Sequence, residues 1–209
     1  MATDEMRQLR EAVVEVARKI AGLQLAPNTQ GNLSARDPES GLIAITPHDY
    51  PYLAMTADDL LVLNLAGEIV SGWRQPSHET AVHLTVYRQR PDVHAIVHTE
   101  PIYVNVFGVL GRPIPPVVVS QLLAVGGDAP IMPFMPSGSE AFGNEMLRCM
   151  GDRKAVVWAQ HGCLTVGADL ESALRCTVAL EEGAKIAYLA SVLGSPNALT
   201  MADLLTAVG

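Results

Sequence analysis

Two potential metal ligands stand at the end of an apolar run, Ala95-Ile96-Val97-His98-Thr99-Glu100. If the run is a strand, successive side chains alternate between faces, so His98 and Glu100 share one face and Thr99 takes the other. Their α-carbons are then roughly 6.6 Å apart, close enough for an imidazole and a carboxylate to lean toward one ion. A third candidate, His161, closes a second apolar run in Trp158-Ala159-Gln160-His161-Gly162. Two histidines and a carboxylate would leave a position open for substrate, as a catalytic metal requires. Zinc is the first expectation; manganese, iron and cobalt also suit these donors. The plainer alternative is that the histidines merely cap a core while Glu100 faces water. His94 shares parity with His98, but four strand residues separate them by roughly 13 Å, beyond chelating reach.

Pro76-Ser77-His78-Glu79 reads as a helix start, with Ser77 placed to accept a backbone N–H and Glu79 near the positive end of the helix dipole. Glu79 is the candidate general acid/base. His78-Glu79-Thr80-Ala81-Val82-His83 superficially resembles a zinc-protease helix, but that motif needs histidines at i and i+4. Here they are five apart and diverge by about 140° around a helix. Glu79 and His83 are the pair sharing a face. Gly31-Asn32 and Gly126-Gly127-Asp128 read as turns, the first offering backbone N–H groups to an anion.

The elements that must position these residues follow from periodicity. A helix is expected over 5–24, a turn and strand over 29–36, and a strand over Gly41 to Thr46 that ends at Pro47-His48-Asp49-Tyr50-Pro51. Thr56-Ala57-Asp58-Asp59 opens a helical turn, and Ala66-Gly67 joins a hairpin of 60–65 with 68–70. A helix runs from Pro76 to Arg90-Pro91, strand 93–98 follows, and Pro101 starts a helix ending near Gly108–Gly111. The proline-rich 112–138 segment reads as loops and short strand pieces, with Val117–Val119 a strand candidate. Further helices are expected over 139–150, 169–193 and 200–207, with strands at 155–159 and Gly162–Val166.

The 209 residues are enough for one well-packed domain, 1–209, and short for two. With 49% hydrophobic and 17% charged residues the composition is globular. A net charge of −8 argues against nucleic acid or an anionic membrane surface as partner. No apolar stretch approaches the roughly 20 residues of a membrane span. The acidic start, Met1 to Glu5, is unlike a basic signal peptide and favours the cytoplasm. Cys149, Cys163 and Cys176 show no CxxC spacing and read as free thiols. Irregularly mixed strands and helices suggest one layered α/β domain.

Taken in order, Gly31-Asn32-Leu33-Ser34, Ile45-Thr46-Pro47, Pro76-Ser77-His78-Glu79 with His83 and Tyr87, Arg90-Pro91-Asp92, Val97-His98-Thr99, Gly126-Gly127, Gln160-His161-Gly162 and Glu181 cover roughly residues 5–190. This ordered set resembles the class II aldolase/adducin family, which contains fuculose-phosphate aldolase and ribulose-phosphate 4-epimerase. The resemblance implies a three-layer α/β/α fold with a central, mostly antiparallel sheet, and a homotetramer with active sites between subunits. It also implies a divalent metal, commonly zinc, held by three histidines, two from a His-x-His strand end and one from the His-Gly motif. That metal polarises a carbonyl and stabilises an enediolate, while the glutamate corresponding to Glu79 moves protons. The resemblance places Gly31, Asn32, Thr46, His48, Ser77 and His78 around the substrate.

The chain departs from this pattern in four places. Glu100 stands where the second histidine ligand is expected. The family's Thr-Pro-Ser/Thr-Gly loop reads Thr46-Pro47-His48-Asp49, and the second serine of the helix motif is His78. A phosphate there would meet Asp49, which repels it, and also His48 and His78, which would attract it if protonated, leaving a smaller carboxylate-bearing or neutral substrate as an alternative. Ser120 occupies the place of the aldolase tyrosine upstream of the paired glycines. The expected function is a metal-dependent carbon–carbon lyase, an aldolase cleaving a small hydroxy-carbonyl compound with Glu79 as acid/base. The alternatives are a metal-dependent decarboxylase of a hydroxy-aromatic or keto acid, then an epimerase, and from a different class a non-catalytic adducin-like binding module.

Overall fold

In the computed structural model, which describes residues 2–206, the chain is built on one eight-stranded sheet. Its strands are β1 (Asn32–Arg36), β2 (Ile43–Ile45), β3 (Leu61–Leu63), β4 (Ile69–Ser71), β5 (Ala95–Thr99), β6 (Ile131–Met132), β7 (Ala155–Trp158) and β8 (Gly162–Gly167). The order across the sheet is β4-β3-β2-β1-β5-β8-β7-β6, and every pair is antiparallel except β6–β7. The helices are α1 (Ala2–Gly22), α2 (Thr80–Gln89), α3 (Ile102–Leu110), α4 (Val119–Val125), α5 (Glu140–Met150), α6 (Leu170–Leu193) and α7 (Met201–Thr206). Residue 207 of the expected terminal helix lies outside the described residues.

Strand alternation divides the core between two helical layers. Ile96, Val156, Trp158, Leu164 and Val166 face α2 and α5, whose Val82, Val86, Phe142 and Met146 complete that cluster. Ala95 and Val97 face the other way, onto α1 and α6. Ala155, Val157 and Cys163 join Val104, Val125 and Leu180 from α3, α4 and α6 on that same side. The fold is thus a three-layer α/β/α arrangement around a mostly antiparallel sheet.

The hairpin at Ala66-Gly67 is present as β3–β4. The strand expected at Val117–Val119 is not: Val118 is an N-cap and Val119 begins α4. The β-branched run favours a strand locally, but α4 packs on α6, and buried Gln121 accepts the Val117 N–H and donates to the Pro115 carbonyl. Tertiary packing overrides a β preference that reflects context. Helix α2 also starts later than expected, at Thr80, with Glu79 at the N-cap. Ser77 accepts the Glu79 N–H at 3.2 Å, closing a turn ahead of the helix rather than capping it. Among the described residues, no helix is long and apolar enough to cross a membrane.

Candidate active site and metal centre

The site is assembled at the end of β5. Register pairs Asn32 of β1 with His98 of β5, and antiparallel partners project to the same side of the sheet. That side is the α2–α5 side, so the N-terminus of α2 brings Glu79 against both. His161 arrives from the turn between β7 and β8, where Gln160 adopts a positive φ of 60° and the His161 N–H bonds to the Trp158 carbonyl. Beyond Thr99 the strand ends, and Glu100 returns to the His98 side.

His98 Nε2 lies 3.3 Å from Glu79 Oε2, and His161 Nε2 lies 3.5 Å from Glu79 Oε1. One ligand atom from each of these three residues lies within 4.8 Å of the other two. Donors about 2.0–2.2 Å from one tetrahedral ion stand roughly 3.3–3.6 Å apart; the two imidazole–carboxylate contacts fall at that distance, each to a different Glu79 oxygen, and the three residues form a group that could hold a metal ion. His98 is held firmly in place. Its Nδ1 meets the Cys163 carbonyl at 2.8 Å, and since a carbonyl only accepts, Nδ1 carries a proton and Nε2 faces the site. The ring also stacks on Trp158 with centroids 4.4 Å apart. Glu100, named as the third ligand in the sequence reading, stands one step back: its Oε1 is 3.8 Å from His161 Nε2 and 4.0 Å from His98 Nε2. The strand ends at Thr99, and Pro101 follows Glu100 as the N-cap of α3.

Glu79 is oriented by a chain of hydrogen bonds that spacing alone did not reveal. Asn32 Nδ2 donates to Glu79 Oε2 at 2.8 Å, because the carboxylate can only accept. The amide oxygen of Asn32 must then accept from His83 Nε2, 2.6 Å away. That fixes Nδ1 of His83 as an acceptor for the Ser34 hydroxyl at 2.6 Å, and Ser34 in turn accepts from the Tyr87 hydroxyl at 2.8 Å. Every link has one donor and one acceptor, and all five residues are buried. Burial pushes His83 down to about 3, with His98 adding to the effect and Glu79 opposing it. An uncharged His83 is what the chain of bonds requires.

The carboxyls diverge. Burial works to raise Glu79, but His98, the Asn32 hydrogen bond and His161 together outweigh it and hold this carboxyl below the usual range. Glu100 is raised, chiefly by burial and also by the charge of Glu79, against the pull of His161. His161 is lowered by burial and by His98.

These groups open into a cavity of about 320 Å³. Of the residues expected around a substrate, Gly31, Asn32, His48, Ser77 and His78 line it. Both amide atoms of Asn32 are already engaged. Thr46 does not line the cavity; it is fully buried and its hydroxyl accepts the Leu33 N–H at 3.0 Å. Gly31 has a φ of +86°, and a side-chain carbon there would meet the His98 carbonyl at 2.6 Å, so glycine is required beside His98. Sequence reasoning missed three members. Thr29 and Ser137 line the cavity, and Ser137 announces itself only as the loop Pro136-Ser137-Gly138. Tyr52 is buried behind Gly31 with an unpartnered hydroxyl, pushed up by burial and by the charges of Glu79 and Glu100.

Comparison with known proteins agrees with this architecture. Residues 11–188 match the family described as Class II Aldolase and Adducin N-terminal domain, and the chain belongs to that family. A 5-deoxy-D-ribulose 1-phosphate aldolase of Bacillus thuringiensis serovar kurstaki is 33% identical over 93% of this chain and 91% of its own. A 5-methylthioribulose-1-phosphate/5-deoxyribulose-1-phosphate aldolase of Rhodospirillum rubrum is 33% identical over 91% and 85%. Among solved structures, an L-fuculose 1-phosphate aldolase superposes with a TM-score of 0.90 at 29% identity, over 95% of this chain and 93% of that one.

Proposed function

We propose that the protein is a metal-dependent aldolase that cleaves a carbon–carbon bond in a small hydroxy-carbonyl compound. The observation that carries this reading is the convergence of Glu79, His98 and His161 at the foot of the cavity with the spacing a divalent ion needs. The aldolase names of relatives at 33% identity support it. His98 and His161 would hold the metal through Nε2, with Glu79 and Glu100 supplying the nearby carboxylates; zinc suits this donor set. When bound, the metal polarises a substrate carbonyl as a Lewis acid.

The chain's own residues do the rest. Glu79, held ionised by its neighbours, accepts the proton of the substrate hydroxyl beyond the scissile bond as that hydroxyl becomes an aldehyde. The bond's electron pair moves toward the carbonyl, and Glu79 returns the proton to the carbon left behind. Asn32 and His83 keep the carboxylate aimed during both transfers. Glu100, raised by burial, is the second carboxyl within reach. The decarboxylase alternative draws no support from the relatives named above. We extend the same reading to assembly: α3 and the end of α6 expose Ile102, Val109, Leu110, Val192 and Leu193, an apolar surface that further copies of the chain would cover and that light scattering reads directly.

The test is a screen of small ketoses and their phosphates with protein supplied with zinc. Release of an aldehyde and a ketone in equal amounts, abolished by a chelator and reduced at least a hundredfold in Glu79→Gln, is the expected result. Efficient turnover without carbon–carbon cleavage overturns the proposal.

A further inference from the structure

The outer half of the cavity has a composition the aldolase reading alone does not explain. Three carboxylates line the cavity, Asp49, Glu79 and Glu100, and among the described residues no lysine or arginine does. At the outer end the rings of His48 and His78 stack face to face, with centroids 4.1 Å apart and planes 11° apart. The two loops that carry them are tied together: the His48 N–H donates to the Gln75 carbonyl at 2.9 Å, and Pro47 pairs with Pro76. Gly138 backs this wall so closely that a side-chain carbon there would meet the His78 carbonyl at 2.8 Å. Asp49 sits beside the pair, with one carboxylate oxygen taken by the Thr29 hydroxyl at 2.5 Å.

We propose that this wall receives an uncharged, hydroxyl-bearing end of the substrate and selects against a phosphate, unlike the phosphate-ester substrates in the names of the relatives. The inference rests on the aldolase reading for the reaction and on the wall itself for the selectivity. A phosphate dianion has only acceptor oxygens to offer, and it would sit beside the Asp49 carboxylate with no lysine or arginine of the cavity to offset it. A hydroxyl both donates and accepts. It can donate to the remaining Asp49 oxygen, or pair with an imidazole nitrogen of the stacked rings. The wall's donors and acceptors are mixed, which matches a polyol and mismatches a phosphate.

Asp49 provides a clean perturbation. Its φ is +48°, a left-handed conformation in which glycine is at ease, and the residue is exposed. Asp49→Gly therefore removes the carboxylate without adding backbone strain, and an unchanged thermal midpoint checks this.

The experiment measures binding of dihydroxyacetone and of dihydroxyacetone phosphate by calorimetry or by protein NMR, to the native protein and to Asp49→Gly, each supplied with zinc. The native protein is expected to bind the phosphate form no more tightly than the free ketone. In Asp49→Gly the ratio should move at least tenfold in favour of the phosphate form. Native protein that binds the phosphate form tenfold or more tightly overturns the proposal, as does an unmoved ratio in the variant. Because binding needs no turnover, these results decide the selectivity even if no ketose is cleaved, an outcome that would instead refute the aldolase reading.

Discussion

Replacing Asn32 with alanine breaks the chain of hydrogen bonds that aims Glu79. The Asn32 amide donates to Glu79 at 2.8 Å and accepts from His83 at 2.6 Å, in a residue only 6% exposed. A hydrogen bond to a charged group contributes about 1.5–3 kcal/mol, and stranding a buried donor such as the His83 Nε2–H costs about 1–3 kcal/mol. A water entering the vacated space recovers part of this. The expected loss is about 2–4 kcal/mol, read as a lower urea midpoint at constant m-value. The sign of the pH effect follows from the bond's preference for the ionised carboxylate. Without that bond Glu79 moves upward, so the acid limb of the kcat/KM profile shifts to higher pH. Because the folded Glu79 carboxyl is depressed, its contribution to stability is present above the ordinary carboxylate range and lost as pH falls through the folded value. The deficit of the variant therefore shrinks in acid. Asn32→Asp keeps an acceptor for His83 but sets a second carboxylate against Glu79, and should move the acid limb further the same way. A stability change below about 0.5 kcal/mol with an unmoved acid limb refutes the reasoning.

Three further outcomes are expected. In Gly162→Ala the new methyl would meet the Thr99 carbonyl at 2.5 Å and the His98 ring at 3.2 Å. Chemical denaturation should show a loss of about 1–3 kcal/mol, and zinc titration a weakened site. For His83, burial holds the ring uncharged down to about 3, against 6.5 for a free ring. Nitrogen NMR should therefore report the Nε2–H tautomer from pH 5 to pH 8; between about 3 and 6.5 the unfolded chain binds the extra proton, so stability declines as pH falls. A ring that protonates near pH 6 contradicts the assigned network. Glu181 of α6 accepts the N–H groups of Tyr103 and Val104 at 3.0 and 2.9 Å, serving as the cap that Pro101 cannot provide for α3. Glu181→Ala should cost about 1–2 kcal/mol in urea unfolding.

The elements around the site were legible because their signals are local. An apolar run ending in His98, the Ala66-Gly67 turn and the period of α6 each carry their own evidence. The family motifs supplied the layer arrangement and brought His161 to the same site as His98. What stayed hidden depends on register and packing. Asn32 is a turn residue in the sequence, and only its pairing with His98 across β1 and β5 sets it between Glu79 and His83. The same applies to Ser34 and Tyr87, distant in the chain and joined at 2.8 Å. Thr46 was expected near substrate because of its motif, yet its hydroxyl serves the β1–β2 backbone. Helix α4 was masked by a valine run whose local preference lost to packing on α6. The closeness of Glu79 to both imidazoles emerges from the way α2 is delayed to Thr80, which a capping serine at Ser77 does not announce.

The most direct test of the account is the metal content of the purified protein, with His98→Ala and His161→Ala as companions that retain the fold by circular dichroism. One divalent ion per chain in the native protein, and a marked loss of affinity in both variants, is the result predicted by ligand atoms of Glu79, His98 and His161 lying within 4.8 Å of one another. A native protein that holds no divalent ion at micromolar concentration, or variants that bind it as tightly as the native chain, would contradict the proposed centre and with it the Lewis-acid role on which the aldolase reading depends.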